Sequence, residues 1–527
     1  MSPFARSRDP KRRQRSRWLA VVCAGLVAPA MGFAAFASGC SVLAGLGDYA
    51  VGSGGDAGRK SSDASSIDAM DDAFAGEDCG AAAPQSIFTV GCTSSTCVPF
   101  DDGTHIVSGL LEDGGLPPLP DAATTSGDAG VDATADASGT SAEAGTPDAS
   151  AGTDAGASYP ACSSLPNPVY MMGSNALLPV VQQLGTWANS ATPAITLIYT
   201  QLSSCKGVSA VIQNVDAIKS GATVSNYWDT GSNTHTCAID ADSKYADIGL
   251  SSVFAETCIP STTGFSGVQD FQGPIVTAVW FVPHASTQTS ISAEAAYLLY
   301  SGAGKVTPWD DPSFVFLRGA TGGTQVMMGA AIGVPAAQWL GTTTGSSDLE
   351  RSAVIASTSP QNTLGLGEID YAEDSVGVVN LNELAYRHYG QSCAYYPNST
   401  ATSHDKRNVR DGHYVGWGPV HLIARVNGQG VPVNVNAGTI VNYFIGNTPV
   451  PGHDFLSLVV SDHLIPQCAM NVQRLQEVGP PLPYLPSPSC ACFFDSSVGT
   501  TSCQTCTVSS DCPASAPACN LGYCEPR

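Results

Sequence analysis

Between residues 161 and 475 the apolar positions fall into patterns that predict strands leading into helices. Val169-Tyr170-Met171-Met172 is an unbroken apolar run that stops at Gly173-Ser174-Asn175. Leu177, Leu178, Val181, Leu184 and Ala188 then recur at the interval that places side chains on one helical face. This predicts a buried strand, a tight turn, and a helix whose first turn is capped by the side-chain oxygen of Ser174 or Asn175. A second unit repeats the order. Phe314-Val315-Phe316-Leu317 reads as a buried strand, residues 318–324 as a Gly-rich loop, and Gln325 to Ile332 as the following helix. A helix N-terminus leaves backbone N–H groups unpaired and carries the positive end of the helix dipole, so each unit suits an anion. Arg318 can give two parallel hydrogen bonds to an oxyanion, and Thr324 can add a hydroxyl. An ordinary capped turn and an arginine in a salt bridge produce the same patterns, so neither unit alone fixes a function.

Outside this region the periodicity disappears. Segments 47–76 and 119–158 consist of Asp, Ala, Gly, Ser and Thr with Pro, and residues 40–160 carry 19 Asp and Glu against Arg59 and Lys60. Such a chain buries too little apolar surface to offset its ordering entropy, so residues 40–160 read as a disordered, self-repelling linker. A short island at 77–118 interrupts it with Cys79, Cys92 and Cys97. Three cysteines cannot all pair among themselves; one is expected to pair elsewhere, with Cys162 a candidate. The formal net charge of -23 argues against nucleic acid as a partner, because phosphate backbones are held by Lys and Arg. It leaves open a single small anion, which needs only local donors.

At the other end of the charge scale, Arg6, Arg8, Lys11, Arg12, Arg13, Arg15 and Arg17 precede the apolar stretch 18–36 and Ala37-Ser38-Gly39-Cys40. A basic head, an apolar run and small residues before a cut describe a secretory signal, residues 1–39. A Cys after Ala-Ser-Gly resembles a bacterial lipoprotein signal, although Ala37 stands where that family usually has Leu. The resemblance implies that Cys40 becomes the acylated N-terminus and ties the protein to the membrane of the cell envelope, in the periplasm or on the outer surface. The alternatives are an ordinary signal cut at a nearby small residue, or a retained membrane helix, since about 20 residues suffice to span. Of the 18 cysteines, Cys23 lies in the signal and Cys40 at the anchor; the sixteen that remain are expected to form disulfides in an oxidising compartment. Seven fall between Cys490 and Cys524, where too few apolar residues exist for a core. Residues 476–527 are therefore expected to be a small disulfide-rich tail, with Cys468 as an eighth partner. Cys503-x-x-Cys506 with Cys519 and Cys524 would alternatively offer a zinc site.

Gly173-Ser174-Asn175-Ala176-Leu177-Leu178-Pro179, Ala246-Asp247-Ile248-Gly249-Leu250-Ser251-Ser252, Ser301-Gly302-Ala303-Gly304-Lys305-Val306-Thr307-Pro308-Trp309 and the 318–324 loop occur in that order. Together they resemble the successive motifs of the phosphate-binding proteins of ABC phosphate transporters, over about residues 165–470. The resemblance implies an α/β, two-lobed type II periplasmic binding-protein fold. In it, residues 161–475 form the binding domain, lobe 1 taking about 161–283 and 379–475 and lobe 2 about 284–378. It further implies a small oxyanion, most naturally phosphate, clamped between the lobes and passed to an ABC permease. Carried over residue by residue, the ligand-binding set is Ser174, Asn175, Ser204, Ser252, Arg318, Gly322, Gly323 and Thr324. The family's Ser of the later loop is replaced by Gly322, and its Asp by Ser252. A serine donates as well as accepts, so rejection of fully ionised anions such as sulfate is expected to be weaker.

No enzyme, cofactor or metal is expected. Ser203-Ser204-Cys205-Lys206 fits a Ser-x-x-Lys pattern, but the partner motifs of penicillin-binding hydrolases are missing. His404-Asp405, His413, His421, His453 and Asp462-His463 read as surface or core residues. The competing functional reading is a surface-display or structural lipoprotein that keeps the binding fold without transport.

Overall fold

The computed structural model describes residues 97–98, 106–108, 111, 115–120, 159–213, 224–239, 246–261, 264–373, 380–391 and 393–526. The signal, Cys40 and nearly all of the linker lie outside them. Among the described residues no helix is long and apolar enough to cross a membrane.

The strands are β1 (Cys97–Val98), β2 (Ile106–Ser108), β3 (Val169–Ser174), β4 (Leu197–Leu202), β5 (Val224–Trp228), β6 (Thr234–Ala238), β7 (Ile248–Ser251) and β8 (Val268–Pro283). They continue as β9 (Ser290–Ser292), β10 (Lys305–Thr307), β11 (Phe316–Leu317), β12 (Thr342–Thr343), β13 (Gly365–Glu368), β14 (Leu381–Glu383), β15 (Ala385–Arg387), β16 (Ala394–Tyr395) and β17 (Trp417–Arg425). The main sheet runs β13-β8-β17-β7-β3-β4-β5-β6, with β14 also on β8. Its organising element is β8, a 16-residue strand. Residues 268–277 of β8 pair with β17, and residues 278–283 pair with β13 and β14. One strand thus belongs to both lobes of a two-lobed α/β fold, the architecture the motif order implied.

Sequence explains the change of environment along β8. Its first five residues, Val268-Gln269-Asp270-Phe271-Gln272, stay partly or fully exposed. Gly273 to Pro283 is buried without a break, as expected where both faces of a strand are covered. Val279, Trp280, Phe281 and Val282 are fully buried, each worth about 1.5–3 kcal/mol by area. Arg474 seals the crossing: Nη1 donates to the carbonyls of Val415 and Trp417 at 2.7 Å, and its guanidinium lies 4.2 Å from the Trp417 ring.

In lobe 1, β3 pairs in parallel with β4 and β7. The helix Ser204–Ile212 presses onto β3 and β7 at backbone distance. A Cβ on Gly207 would sit 2.7 Å from the Met172 carbonyl oxygen, one on Gly249 2.4 Å from the Gly207 oxygen, and one on Gly173 1.9 Å from the Leu250 oxygen. Gly173 also holds φ at +146°. In lobe 2, β11 pairs in parallel with β12, and Val315 bridges in parallel to Leu364, just ahead of β13.

Within the expected linker, the described stretches 97–98, 106–108 and 115–118 contact the domain: β1 pairs with β16, β2 with β10, and the Tyr297 hydroxyl donates to the Pro117 carbonyl at 2.6 Å. Cys162 pairs with Cys237 rather than with an island cysteine. Every cysteine from Cys162 to Cys524 is disulfide-bonded. In the tail the bonds are Cys468–Cys490, Cys492–Cys503, Cys506–Cys519 and Cys512–Cys524, so the zinc alternative there falls and Cys468 is the eighth partner. The tail is docked: Arg410 pairs with Asp495 and lies over the ring of Phe494, itself 1% exposed within the main core.

Replacing Gly207 by Ala should cost about 1–3 kcal/mol, the usual penalty of overpacking, because the Met172 carbonyl belongs to a central strand and cannot retreat. Urea unfolding measures this; an unchanged midpoint would show that the helix does not rest on the sheet.

Candidate functional site

Loops at the carboxyl ends of parallel strands converge between the lobes, the usual ligand position in α/β sheets. Ser174 ends β3, residues 203–206 follow β4, Ser252 follows β7 and Arg318 follows β11. Ser174 is fully buried, and its Oγ lies 3.1 Å from Ser252 Oγ. Ser204 Oγ accepts the backbone N–H of Ser252 at 3.2 Å. Neither Ser174 nor Asn175 makes the expected side-chain cap: Ser174 Oγ is engaged by Ser252, and Asn175 Oδ1 is buried without a hydrogen bond.

From lobe 2, Gly322 is the N-cap of the helix Gly323–Ile332. Gly319 N–H donates to Gln325 Oε1 at 3.0 Å, and Gln325 Nε2 donates to the Ala336 carbonyl at 3.0 Å, which ties the loop to its own helix. A Cβ on Gly322 would come within 3.0 Å of Arg318 Cδ, so glycine lets the arginine lie across the loop. Gly323 makes the interlobe contact: a Cβ there would stand 2.4 Å from Ser204 Oγ and 2.9 Å from Ser252 Cβ. Thr324 is 1% exposed and its Oγ1 has no hydrogen bond.

The eight sequence-derived residues therefore gather at one boundary. Asn175, Arg318 and Gly322 line its cleft with Gln201, Ser203, Lys206 and Gly319, around a volume of about 70 Å³. Ser174, Ser204, Ser252, Gly323 and Thr324 form the buried contact beside it. A space of this size suits a few waters or one small ion, and is far below the 300–1,000 Å³ or so of sites for larger organic ligands. Two larger hollows lie elsewhere, one of about 370 Å³ beside the stacked Trp187 and His453, and one of about 460 Å³ beside His404 and His463.

Sequence reasoning missed the carboxylates behind the arginine. Val315 beside Leu364 puts Arg318 level with the end of β13, and Arg318 Nη1 lies 3.8 Å from Glu368 Oε1. This is the outer limit of an ion pair, and neither group hydrogen-bonds through those atoms. Burial pushes the Glu368 carboxyl up, and the charge of Arg318 pulls it back only in part. Glu350, 1% exposed, is pushed well above the carboxylate range, first by burial and then by Glu368, against the Leu366 N–H it accepts and against Arg318. A sequence signal existed: Glu368 is the lone charge in the apolar and small run Leu364-Gly365-Leu366-Gly367-Glu368-Ile369. Tyr199, fully buried with its hydroxyl on the Ser174 carbonyl, is raised by burial and drawn down by the charge of Arg318.

No family model matches the sequence. No curated protein matches it either. Among solved structures it is similar to an ABC-type phosphate transport receptor from Vibrio cholerae, at 13% identity and a TM-score of 0.37, covering 57% of this chain and 100% of that one. It is also similar to PstS from Borrelia burgdorferi, at 12% identity and a TM-score of 0.33, covering 57% and 98%. A further similarity is to the reduced OxyR regulatory domain from Pseudomonas aeruginosa, at 11% identity and a TM-score of 0.29, covering 52% and 97%.

A raised acid holds a proton in the folded state that the unfolded chain releases. The stability it confers is complete below about pH 4.5 and is lost as pH climbs toward the folded value. Glu350→Gln keeps an oxygen for the Leu366 N–H but cannot ionise. Its stability should therefore fall less steeply than that of the wild type between about pH 5 and 8, as read from denaturation midpoints across a pH series. Parallel slopes would show that Glu350 is not held protonated.

Proposed function

We propose that this chain is an exported, lipid-anchored solute-binding protein that captures a small oxyanion, phosphate foremost, between its two lobes and passes it to an ABC permease. One observation carries the reading: three helix N-termini and a buried arginine meet at a cleft of about 70 Å³ whose buried polar atoms lack partners. The helices begin after Ser174, at Ser204 and at Gly323, and each continues for at least nine residues. Their free N–H groups and dipoles favour negative charge. Asn175 Oδ1, Ser203 Oγ, Thr324 Oγ1 and Arg318 Nη1 are all buried without hydrogen bonds. Such atoms are costly unless something completes them, and an oxyanion accepts from the hydroxyl and guanidinium donors. The Asn175 amide can turn its NH₂ toward the same ion.

The mechanism follows from the placement of the donors on two bodies. Ser174, Ser203, Ser204 and Ser252 belong to lobe 1, and Arg318 and Gly322–Thr324 to lobe 2. An anion seated on one set completes its coordination only when the other closes, so binding energy draws the lobes together. Arg318 supplies the charge-assisted bonds. Binding and release, without a covalent step, is the proposed activity.

Arg318→Ala should weaken phosphate binding by about 2–5 kcal/mol, the range for truncating one partner of a buried charge pair, measured by calorimetry on protein stripped of carried-over ligand. Phosphate should exceed sulfate by less than a site with an Asp at position 252 would give. Heat from neither anion with folded wild type would favour the surface-display reading.

Anchoring has its own test. Mass spectrometry of the mature N-terminus should find acylated Cys40, and Cys40→Ala should move the protein from the membrane to the soluble fraction. A free N-terminus downstream of Cys40 would establish simple secretion.

A further inference from the structure

The hollow of about 460 Å³ is lined by His404, Lys406, Ser457, Ser461 and His463 beside Phe494. At its wall, segments distant in sequence meet at one carboxylate. Glu373 closes the helical turn Asp370–Glu373, His404 lies ahead of Arg407–Arg410, and His463 follows the helix Phe455–Ser461. His463 Nδ1 is 2.8 Å and His404 Nδ1 3.3 Å from Glu373 Oε2. Asn398 Nδ2 donates to Glu373 Oε1 at 2.7 Å, so Oε2 faces the histidines and Lys406. Exposure grades outward, from 3% for the Glu373 side chain through 22% for His463 to 50% for His404. The backbone marks the same place: Lys406 and His463 have φ of 49° and 57°, in the left-handed region that residues with a side chain rarely adopt.

We propose that Glu373 Oε2, His404 Nδ1 and His463 Nδ1 are three ligands of a divalent transition-metal site of the zinc class, with the fourth position open to the hollow. Ligand identity selects the metal. Two imidazoles and one carboxylate suit Zn²⁺, Co²⁺ or Ni²⁺, whereas Ca²⁺ and Mg²⁺ take oxygen. Zinc holds nitrogen and oxygen ligands at about 2.0–2.2 Å, which puts tetrahedral neighbours roughly 3.3 Å apart. The separations of 2.8 and 3.3 Å from each histidine to the carboxylate approach that value, and the three residues offer ligand atoms within 4.8 Å of one another.

Lys406 gives the site a built-in competitor. Its Nζ, 2% exposed, bonds the same Glu373 Oε2. It supplies the positive charge that the metal would bring, so loading must displace the ammonium. Glu383 offers a destination. It is half-buried with Oε2 buried and unpartnered, shares the Asn398 side chain with Glu373, and already feels the charge of Lys406. Burial and then the charge of Glu373 push its carboxyl up to about 8. The disulfide-bonded cysteines from Cys162 to Cys524 offer no thiolate to compete for the ion.

The test is a Co²⁺ titration of the full-length protein, freed of metal by chelator, followed by visible absorption and by competition with Zn²⁺. One equivalent should give the intense bands of four-coordinate Co²⁺. His404→Ala, on an exposed loop that tolerates truncation, should weaken binding at least about tenfold, the lower bound for losing one ligand or its support. Glu373→Gln should abolish it, and Lys406→Met should tighten it. No band in either wild type or Lys406→Met would overturn the proposal, as would binding that survives the His404→Ala/His463→Ala double variant. A site that fills only in Lys406→Met overturns it too, because Lys406 is then the resident cation.

Discussion

The molecule depends on β8 remaining one strand across two lobes. Its pairing with β17 over residues 268–277 and with β13 and β14 over 278–283 fixes how far the lobes stand apart and which strand ends face each other. Eleven consecutive buried residues, Gly273 to Pro283, make the second half of that strand costly to expose. The hydrogen bond from Ala278 N–H to the Gly416 carbonyl and the Arg474 bonds to Val415 and Trp417 hold the second crossing beside the first.

Close packing on this frame places the cleft. Helix Ser204–Ile212 reaches its position because Gly173, Gly207 and Gly249 let helix and sheet backbones touch. Lobe 2 approaches Ser204 and Ser252 because position 323 has no side chain. The same closeness excludes water from Arg318, Glu368 and Glu350, and low exposure turns a cluster that would be unremarkable in solvent into one whose charge state is coupled.

Covalent links do different work in the two halves of the chain. Cys205–Cys258 ties the helix at the cleft to the segment after Ser252, and Cys162–Cys237 fastens the start of the domain to β6. The tail disulfides substitute for a core, while Phe494 and the Arg410–Asp495 pair anchor the tail to the domain. Glu525, fully buried, accepts from the N–H groups of Cys492 and Phe493 at the start of the tail helix, where a carboxylate is favoured.

The sequence by itself determined where strands lead into helices, because apolar periodicity and Gly-Ser-Asn or Gly-Gly-Thr turns are local properties of the chain, although the second strand is confined to Phe316–Leu317 after a 3-10 turn that takes Phe314, and the cap expected of Ser174 or Asn175 is not made. It also determined the order of the cleft motifs, and an oxidised tail in which Cys468 completes an even set. Other features came only from tertiary structure, because they depend on which distant segments become neighbours. Glu350 and Glu368 stand 32 and 50 positions beyond Arg318; the parallel bridge between Val315 and Leu364 brings the strand of Glu368 alongside, and the helix Ser347–Ile355 carries Glu350 onto that strand at Leu366. His404 and His463 looked like isolated surface or core histidines beside Asp405 and Asp462. Each turns instead to Glu373, a residue with no nearby motif to mark it. The partner of Cys162 likewise follows from β6 lying at the sheet edge, where Ala161 bridges to Ala238. Spacing along a chain encodes which faces are apolar, whereas the meeting of charges and thiols is decided by how those faces pack.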